Sequence, residues 1–296
     1  MPYTTLISAD ELKALRASGA ALMLFDCSFD LTNPAAGEEQ YRHAHIPGAV
    51  YVHLDTALSD QGVVEPDGSH HPHPDAASGG RHPLPSREKF AMWLSSVGFS
   101  NDMQAVVYDR QNANYCGRLW WMLKWAGHES VAILDGGLQA WQAAGGEVTD
   151  RAEPSHFQSN FTLGEPRVRL VTTPEVERAL GTGAQTLVDA RAPQRYRGEV
   201  EPLDPVAGHI PGALNRPFSQ NLGPDGRFKP AAQLRAEFEQ LLQGRDPASV
   251  VHHCGSGVSA VPNVVAMEVA GLGRTGLYAG SWSEWCRDPA RPVARG

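Results

Sequence analysis

The chain has 296 residues, of which 42% are hydrophobic and 20% charged, with 25 Lys and Arg against 33 Asp and Glu. This length exceeds that of a typical single domain and predicts about two domains. The net charge of -8 argues against nucleic acid or an anionic membrane as partner. No stretch approaches the roughly 18 apolar residues of a membrane span. The first twenty residues lack the features of a secretory signal, so we expect a cytoplasmic protein.

In chain order, the first half opens with a capping box at 8–11 that starts a helix. An apolar strand ending in Asp26 follows, and then the motif His-Ile-Pro-Gly-Ala at 45–49. Residues 61–80 are rich in Gly, Pro, Asp and His without periodicity, which predicts an inserted surface loop. A second apolar strand then ends in Asp109, from which a helix leads to a Gly-rich turn and a tryptophan.

The second half repeats this plan. It has a capping box at 172–175, a strand ending in Asp189 and the same motif at 209–213. Its next apolar strand, Val-Val-His-His, ends in Cys254, so Asp109 occupies the corresponding place in the first half. The polar, Pro-containing segment 149–168 between the halves is typical of a linker.

Short, continuously apolar strands alternate with amphipathic helices throughout the chain. This pattern predicts an α/β fold with two domains in tandem, each a mainly parallel sheet flanked by helices on both faces. We expect a non-catalytic N-terminal domain over 1–148, which includes the inserted loop, and a catalytic C-terminal domain over 169–296. Ligand sites in such sheets lie at the carboxyl ends of strands, which is where Cys254 falls.

The small-residue segment after Cys254 predicts a cradle of backbone amides around its sulfur. It consists of Gly255, Ser256, Gly257, Val258 and Ser259, and we expect a helix from 258 onward. Glycines let the amides point inward, and a helix N-terminus favours negative charge, so a thiolate or persulfide would be stabilised. The competing interpretation is a buried structural cysteine before an ordinary turn.

Two other site types are less well supported. A cysteine phosphatase needs an arginine six positions after its cysteine, and that position holds Ala260. The histidines of the inserted loop, His70, His71 and His73, have the composition of a metal site but lack supporting Cys or carboxylate spacing. The four cysteines also show no zinc or disulfide spacing, so no metal site is expected.

Together these motifs resemble the tandem-domain rhodanese sulfurtransferases. The resemblance runs from Leu6 to Trp285 and includes the doubled His-Ile-Pro-Gly-Ala motif, an Asp in place of Cys in the first half, and the segment Arg-His-Pro-Leu-Pro at 81–85. It implies that Cys254 takes sulfur from a small-molecule donor as a persulfide and passes it to cyanide, a thiol or a protein acceptor such as a thioredoxin-like reductant. It implies no cofactor.

The loop Cys-Gly-Ser-Gly-Val-Ser is similar to that of 3-mercaptopyruvate sulfurtransferases within this family. Ser256 would then act with Cys254 in catalysis by relaying the proton of the donor's thiol. A thiosulfate sulfurtransferase stays open as an alternative, and so does a persulfide carrier or binding scaffold for a partner protein.

The resemblance also implies a set of substrate-binding residues. Arg195 matches the family's substrate arginine, and Arg191 and His45 are further candidates. His45 matches a position proposed to join a relay with the loop serine, although a structural imidazole bonded to a backbone carbonyl is the alternative. Leu203 stands where the family has a second arginine that holds the substrate carboxylate, which weakens the mercaptopyruvate assignment.

Overall fold

A computed structural model describes residues 1–64, 70–71 and 73–296, without the side chains of 64, 70 and 71. The strands are β1 (Leu6–Ile7), β2 (Leu22–Asp26), β3 (Ala49–Tyr51), β4 (Val63–Val64), β5 (His70–His71), β6 (Gln104–Tyr108), β7 (Val131–Leu134), β8 (Arg169–Val171), β9 (Thr186–Asp189), β10 (Leu214–Asn215), β11 (Val250–His253) and β12 (Gly276–Tyr278). The helices are α1 (Ala9–Ala17), α2 (Ala36–His43), α3 (Leu54–Ala57), α4 (Arg87–Ser96), α5 (Cys116–Trp125), α6 (Gly137–Ala143), α7 (Thr173–Ala179), α8 (Pro193–Tyr196), α9 (Ala231–Leu242), α10 (Val261–Val269) and α11 (Ser281–Trp285), with 3₁₀ turns at Phe218–Asn221 and Pro247–Ser249. This alternation confirms the predicted α/β class.

The first compact unit comprises residues 1–58, 86–167 and 223–228. Its five strands are all parallel, in the order β1-β7-β6-β2-β3. The predicted capping box starts α1, with the Ser8 N–H donating to Glu11 Oε2 at 2.8 Å and the Glu11 N–H donating to Ser8 Oγ at 3.3 Å. Apolar residues such as Leu24, Val106 and Trp141 form its buried core.

The second compact unit comprises residues 59–85, 168–222 and 229–296. Its parallel sheet has the order β8-β12-β11-β9-β10. A second capping box, formed by Thr172 and Glu175, starts α7. Val251, Tyr278 and Trp282 belong to its buried core. The two sheets therefore have the same strand order, as the sequence repeat predicts.

The central strands β6 and β11 position equivalent loops in the two units. Every residue of both strands is buried, as expected for parallel strands covered on both faces. Asp26 lies opposite Tyr108 in one sheet, and Asp189 lies opposite His253 in the other. Asp109 and Cys254 are the next residues, so each begins the loop at the carboxyl end of its central strand.

The predicted domain boundaries and inserted loop are not settled by these units. Segment 59–85 packs within the second unit, where β4 and β5 form an antiparallel pair. Residues 65–69 and 72 of the predicted loop, and the side chains of His70 and His71, lie outside the described part of the chain, so neither the surface loop nor the less favoured metal site of these histidines is tested. Segment 150–168 forms neither helix nor strand. None of the described helices is long and apolar enough to cross a membrane.

Candidate active site

Cys254 directly follows β11 at the carboxyl end of the second sheet, and its side chain is buried, with 2% exposed. Its N–H donates to Ser281 Oγ at 3.1 Å, and its carbonyl accepts the Trp282 N–H at 3.0 Å. The carbonyl of Gly255 accepts the Ser283 N–H at 2.8 Å. The start of α11 therefore fixes the backbone that carries the thiol.

Only a glycine fits at position 257 of the loop. Gly257 has φ +76°, in the left-handed region, and a Cβ there would lie 2.2 Å from the carbonyl oxygen of Ala279. The neighbouring side chain of Val258 is buried, while that of Ser259 is partly exposed. The chain thus turns back tightly over the end of β11.

The helix predicted from 258 begins later, at Val261. The carbonyls of Val258 and Ala260 accept the first bonds, from Val261 N–H at 3.1 Å and Val264 N–H at 3.4 Å, so residues 258–260 belong to the loop. Pro262 consequently occupies the first turn of α10, where its missing N–H removes no helical hydrogen bond.

Gly257→Ala should lower the free energy of unfolding by roughly 2 kcal/mol or more, because a Cβ at φ +76° is strained and clashes with a backbone oxygen. Gly255→Ala is the matched control, since a Cβ there meets first the end of a flexible side chain, Arg81 Nη2 at 3.0 Å. Urea unfolding of both variants measures the difference. Equal losses of stability would contradict the assigned backbone geometry.

Segment 79–82 is held against this loop and α11 by several hydrogen bonds. The Gly79 N–H donates to Glu284 Oε2 at 3.0 Å, and the Arg81 N–H donates to Ser283 Oγ at 3.0 Å. His82 Nδ1 lies 2.7 Å from Ser256 Oγ, and both side chains are buried. The serine of the predicted relay therefore has a histidine partner from a segment 174 residues away in sequence.

The histidine beside Ser256 is His82, a residue that the sequence analysis did not single out. His45 lies in the first unit, with Nδ1 at 2.7 Å from the Tyr41 carbonyl oxygen and Nε2 at 3.2 Å from Glu153 Oε1. His209 repeats the arrangement, with Nδ1 at 2.8 Å from the Tyr196 carbonyl oxygen. The geometry of both motif histidines is that of the structural imidazole considered above.

A cluster of arginines and carboxylates lies beside the loop in the second unit. The predicted substrate residue Arg195 donates from Nε and Nη2 to Glu201 at 3.2 and 2.6 Å, and its Nη2 lies 3.4 Å from Asp204 Oδ2. Arg81 also donates to Asp204. The position of a Cβ on Gly255 lies 3.0 Å from Arg81 Nη2 and 3.5 Å from Arg195 Nη1. Two guanidinium groups thus flank the start of the loop.

Arg191, a further substrate-binding candidate, is more deeply buried than Arg195. Its Nη2 donates to Asp189 Oδ2 and to the Gly208 carbonyl, both at 2.7 Å, and its Nη1 lies 3.3 Å from Glu201. The guanidinium also stacks 4.9 Å from the ring of Trp282. These contacts are those of a structural ion pair, which links Asp189 at the end of strand β9 to Gly208 and Glu201.

The equivalent loop of the first unit wraps around the carboxylate of Asp109. Four backbone N–H groups donate to this carboxylate, at 2.9 or 3.0 Å. Burial raises the pKa of Asp109 above its ordinary value, although these four donors act in the opposite direction. The fold therefore builds a cradle for an anion at this place, and in the first unit the chain fills it with its own side chain.

A rhodanese-like domain matches the chain twice, over residues 8–144 and 172–288. The chain belongs to the rhodanese family. This confirms the predicted tandem arrangement of two rhodanese-like domains.

Curated relatives of this rhodanese match it over its full length. A Pseudomonas aeruginosa protein provisionally named a 3-mercaptopyruvate sulfurtransferase is 43% identical, with 100% of both chains covered. The Mycobacterium tuberculosis protein SseB, provisionally named a thiosulfate sulfurtransferase, is 40% identical over 98% of this chain and 97% of its own. The predicted enzyme class, a sulfurtransferase, is therefore confirmed.

Solved structures agree with this assignment. The 3-mercaptopyruvate sulfurtransferase from Leishmania major has a TM-score of 0.77 and 28% identity, covering 96% of this chain and 74% of its own. The Tum1 protein from Saccharomyces cerevisiae has a TM-score of 0.81 and 25% identity, covering 100% of this chain and 99% of its own.

The two histidines that precede Cys254 in this rhodanese point to different environments, as strand alternation predicts. His252 Nε2 lies 3.2 Å from Met267 Sδ, in the core beneath α10. His253 is fully buried near Tyr278, and its ring nitrogens have no hydrogen-bond partner among the described residues. Burial lowers the pKa of both, so both are neutral at pH 7.

Stability of this rhodanese should fall on acidification because of His252. Burial and nearby positive groups lower its pKa from 6.5 to about 3, so between these values the unfolded chain binds a proton that the folded chain does not. From pH 7 to pH 5 the resulting loss is about 2 kcal/mol. Urea unfolding at both values should show a steeper decline for the wild type than for His252→Gln. Parallel declines would contradict a neutral His252.

Proposed function

We propose that this member of the rhodanese family is a 3-mercaptopyruvate sulfurtransferase with Cys254 as its nucleophile. The Cys254 thiolate attacks the sulfur of the donor and forms an S–S bond. The C–S bond of the donor breaks, and its electron pair passes to the carbon, giving the enolate of pyruvate. The proton of the donor's thiol ends on this carbon, so the products are pyruvate and a Cys254 persulfide anion. An acceptor thiolate or cyanide then takes the outer sulfur and returns the thiolate.

The observation that carries the choice of donor is the 2.7 Å contact between Ser256 Oγ and His82 Nδ1. A mercaptopyruvate donor has a thiol proton that must leave the sulfur and reach the product carbon, whereas thiosulfate has none. A hydroxyl paired with an imidazole can accept and return such a proton. Ser256 follows Cys254 by two residues, in the loop that receives the donor.

The first unit supports the proposed role of the loop amides. Four N–H groups bind the Asp109 carboxylate at the place that corresponds to Cys254. A loop of the same position in the second unit would offer such donors to a thiolate or persulfide. Arg195 supports the binding of an anionic donor, since its guanidinium lies beside Gly255. The proposed active-site loop consists of Cys254, Ser256 and the residues Gly255, Gly257, Val258 and Ser259.

Thiosulfate is the second candidate donor. The two guanidinium groups beside Gly255 would also suit a dianion, and SseB, 40% identical, is provisionally named for this activity.

As acceptor we propose a small thiol, cyanide or a thioredoxin-like reductant, in a reducing cytoplasm where Cys254 stays free. We also propose that residues 169–296 form the catalytic domain, which carries the nucleophile, and that 1–148 is non-catalytic only in lacking a nucleophile, since His82 of the relay belongs to it.

Steady-state kinetics with both donors and one thiol acceptor test the proposal. We expect kcat/KM of about 10⁴ M⁻¹s⁻¹ or more with 3-mercaptopyruvate, a lower value with thiosulfate, and a Cys254 peptide one sulfur atom heavier after donor treatment. A preference for thiosulfate would overturn the choice of donor. Values below about 10² M⁻¹s⁻¹ for both would favour the persulfide carrier over an enzyme of small donors.

A further inference from the structure

The second unit has a surface cavity of about 610 Å³, lined by residues of strand β10, the following 3₁₀ turn and helix α9. Its described lining includes no residue of the loop after Cys254. Arg216 and Lys229 face a single carboxylate there, that of Glu237, which leaves one positive charge in excess. The protein as a whole has a net charge of -8. A concave site with local positive charge attracts anions.

Arg216 is held in a fixed orientation on the wall of this cavity. Its side chain is 5% exposed, and its guanidinium lies 4.2 Å from the centre of the buried ring of Phe238. Nε donates to Asn221 Oδ1 at 2.9 Å, and Nη2 donates to Glu237 Oε2 at 2.8 Å. Asn221 in turn donates to Asn263 Oδ1 at 2.6 Å, in the first turn of α10. The guanidinium is therefore in place before any ligand arrives, so little side-chain entropy is lost on binding.

Both cations keep hydrogen-bond donors that the protein does not use. Arg216 Nη1 makes no hydrogen bond among the described residues. Within the same part of the chain, Lys229 Nζ donates only to Glu237 Oε1, at 2.9 Å, and the lysine side chain is 22% exposed. Burial raises the pKa of Glu237, but hydrogen bonds from Arg216 and Lys229 outweigh it and lower that pKa to about 2. Glu237 is thus ionised at neutral pH, and the remaining N–H groups of the two cations can donate to a further anion.

The rest of the lining suits an organic anion better than an inorganic one. Gln220, Gln240 and Gln243 are exposed, and their amide groups have no hydrogen-bond partner among the described residues. Such amides donate to and accept from hydroxyl groups. Leu214 and Leu241 are half-buried and offer apolar contact. The volume is also in the range of small-molecule sites, roughly 300 to 1,000 Å³.

We infer that this cavity binds a small organic monocarboxylate that carries hydroxyl groups. Its carboxylate accepts hydrogen bonds from Arg216 Nη1 and Lys229 Nζ, and the glutamine amides bind its hydroxyl groups. One carboxylate matches the one positive charge in excess, whereas a second would lie uncompensated near Glu237. The inference does not rest on the proposed sulfur transfer, since Cys254 takes no part in it.

Titration calorimetry of the full chain at low ionic strength tests this inference, with gluconate as the probe and sorbitol as its uncharged counterpart. We expect one gluconate site with a Kd on the order of 1 mM, a modest affinity for about 13 non-hydrogen atoms. Sorbitol should bind at least about tenfold more weakly, because it offers no charged acceptor. Lys229→Gln should weaken gluconate binding by about tenfold or more.

Arg235→Gln is the matched control and should bind gluconate as the wild type does. Arg235 lies on the same helix, is exposed and pairs with Glu239, and does not line the cavity. Equal binding by Lys229→Gln and Arg235→Gln would overturn the inference. So would equal affinity for sorbitol and gluconate, or no saturable binding of gluconate up to about 20 mM.

Two further variants keep the test decisive. If Lys229→Gln fails to fold, Gln240→Leu removes an exposed amide of the cavity and should weaken gluconate binding by about threefold or more. Unchanged binding in Gln240→Leu would then contradict the inference. Cys254→Ser should bind gluconate as the wild type does, so a failure of the proposed sulfur transfer leaves this result untouched. Loss of binding in Cys254→Ser would place gluconate at the catalytic loop and overturn the inference.

Discussion

Cys254→Ser should abolish sulfur transfer, with kcat lowered by more than about 10³-fold and no sulfur added to the protein by the donor. A serine hydroxyl in the same loop cannot form a persulfide, since the reaction requires an S–S bond. The remaining backbone contacts, including the bond from residue 254 to Ser281 Oγ, do not involve the thiol. The variant should therefore unfold at nearly the same urea concentration as the wild type, and intact-protein mass spectrometry measures the sulfur.

Cys286→Ser is the control for this experiment. Burial and the nearby charge of Asp204 raise the pKa of Cys286 to about 11, so its thiol is protonated at neutral pH and unreactive. This variant should keep wild-type turnover. Sulfur uptake or turnover in Cys254→Ser would show that another group is the nucleophile and would refute the mechanism.

The second large effect is expected from the pair Ser256 and His82. Ser256→Ala and His82→Asn should each lower kcat/KM for 3-mercaptopyruvate by about 10²- to 10⁴-fold, the usual contribution of a positioned acid or base. The half-reaction with thiosulfate should change little, because that donor has no thiol proton to move. Rapid-mixing measurement of persulfide formation with each donor separates the two effects.

The double variant provides the control for this pair. If Ser256 and His82 act as one relay, removing both should cost little more than removing either, since their effects are not additive. Parallel losses with both donors would instead mean that the contact only holds the loop in place. Such a result would remove the argument for a thiol donor while leaving Cys254 as the nucleophile.

The sequence alone predicted the parts of the fold that depend on local pattern and repetition. The alternation of apolar strands with helices was sufficient to predict two parallel sheets. The repeated spacing placed Asp109 and Cys254 after equivalent strands. Both capping boxes start helices where the pattern indicates. These features follow from neighbours in sequence, so no tertiary information was needed.

The rest of the candidate site depends on contacts between distant segments. His82 reaches Ser256 across 174 residues, and Arg81 reaches Asp204 across 123. The motif at 81–85 was visible in the sequence, but its position within the second unit follows only from folding. Leu203 in place of an arginine is visible in the sequence, but the two guanidinium groups that flank Gly255 are brought there only by folding. The start of α10 was placed too early, since helix propensity does not show that the loop uses residues 258–260.

The two copies of the fold differ in whether the group held by the loop after the central strand can change its chemical state. In the first copy the bound anion is the Asp109 carboxylate, which is part of the polypeptide and cannot dissociate. Its hydrogen bonds to four backbone N–H groups therefore stabilise the loop at all times. In the proposed mechanism the corresponding atom of the second copy is the Cys254 sulfur, which gains and loses a second sulfur atom in every cycle. Duplication has thus separated a supporting task from a chemical one. Asp109→Gly would leave these four N–H groups without their carboxylate, and a small free anion such as chloride could then accept from them.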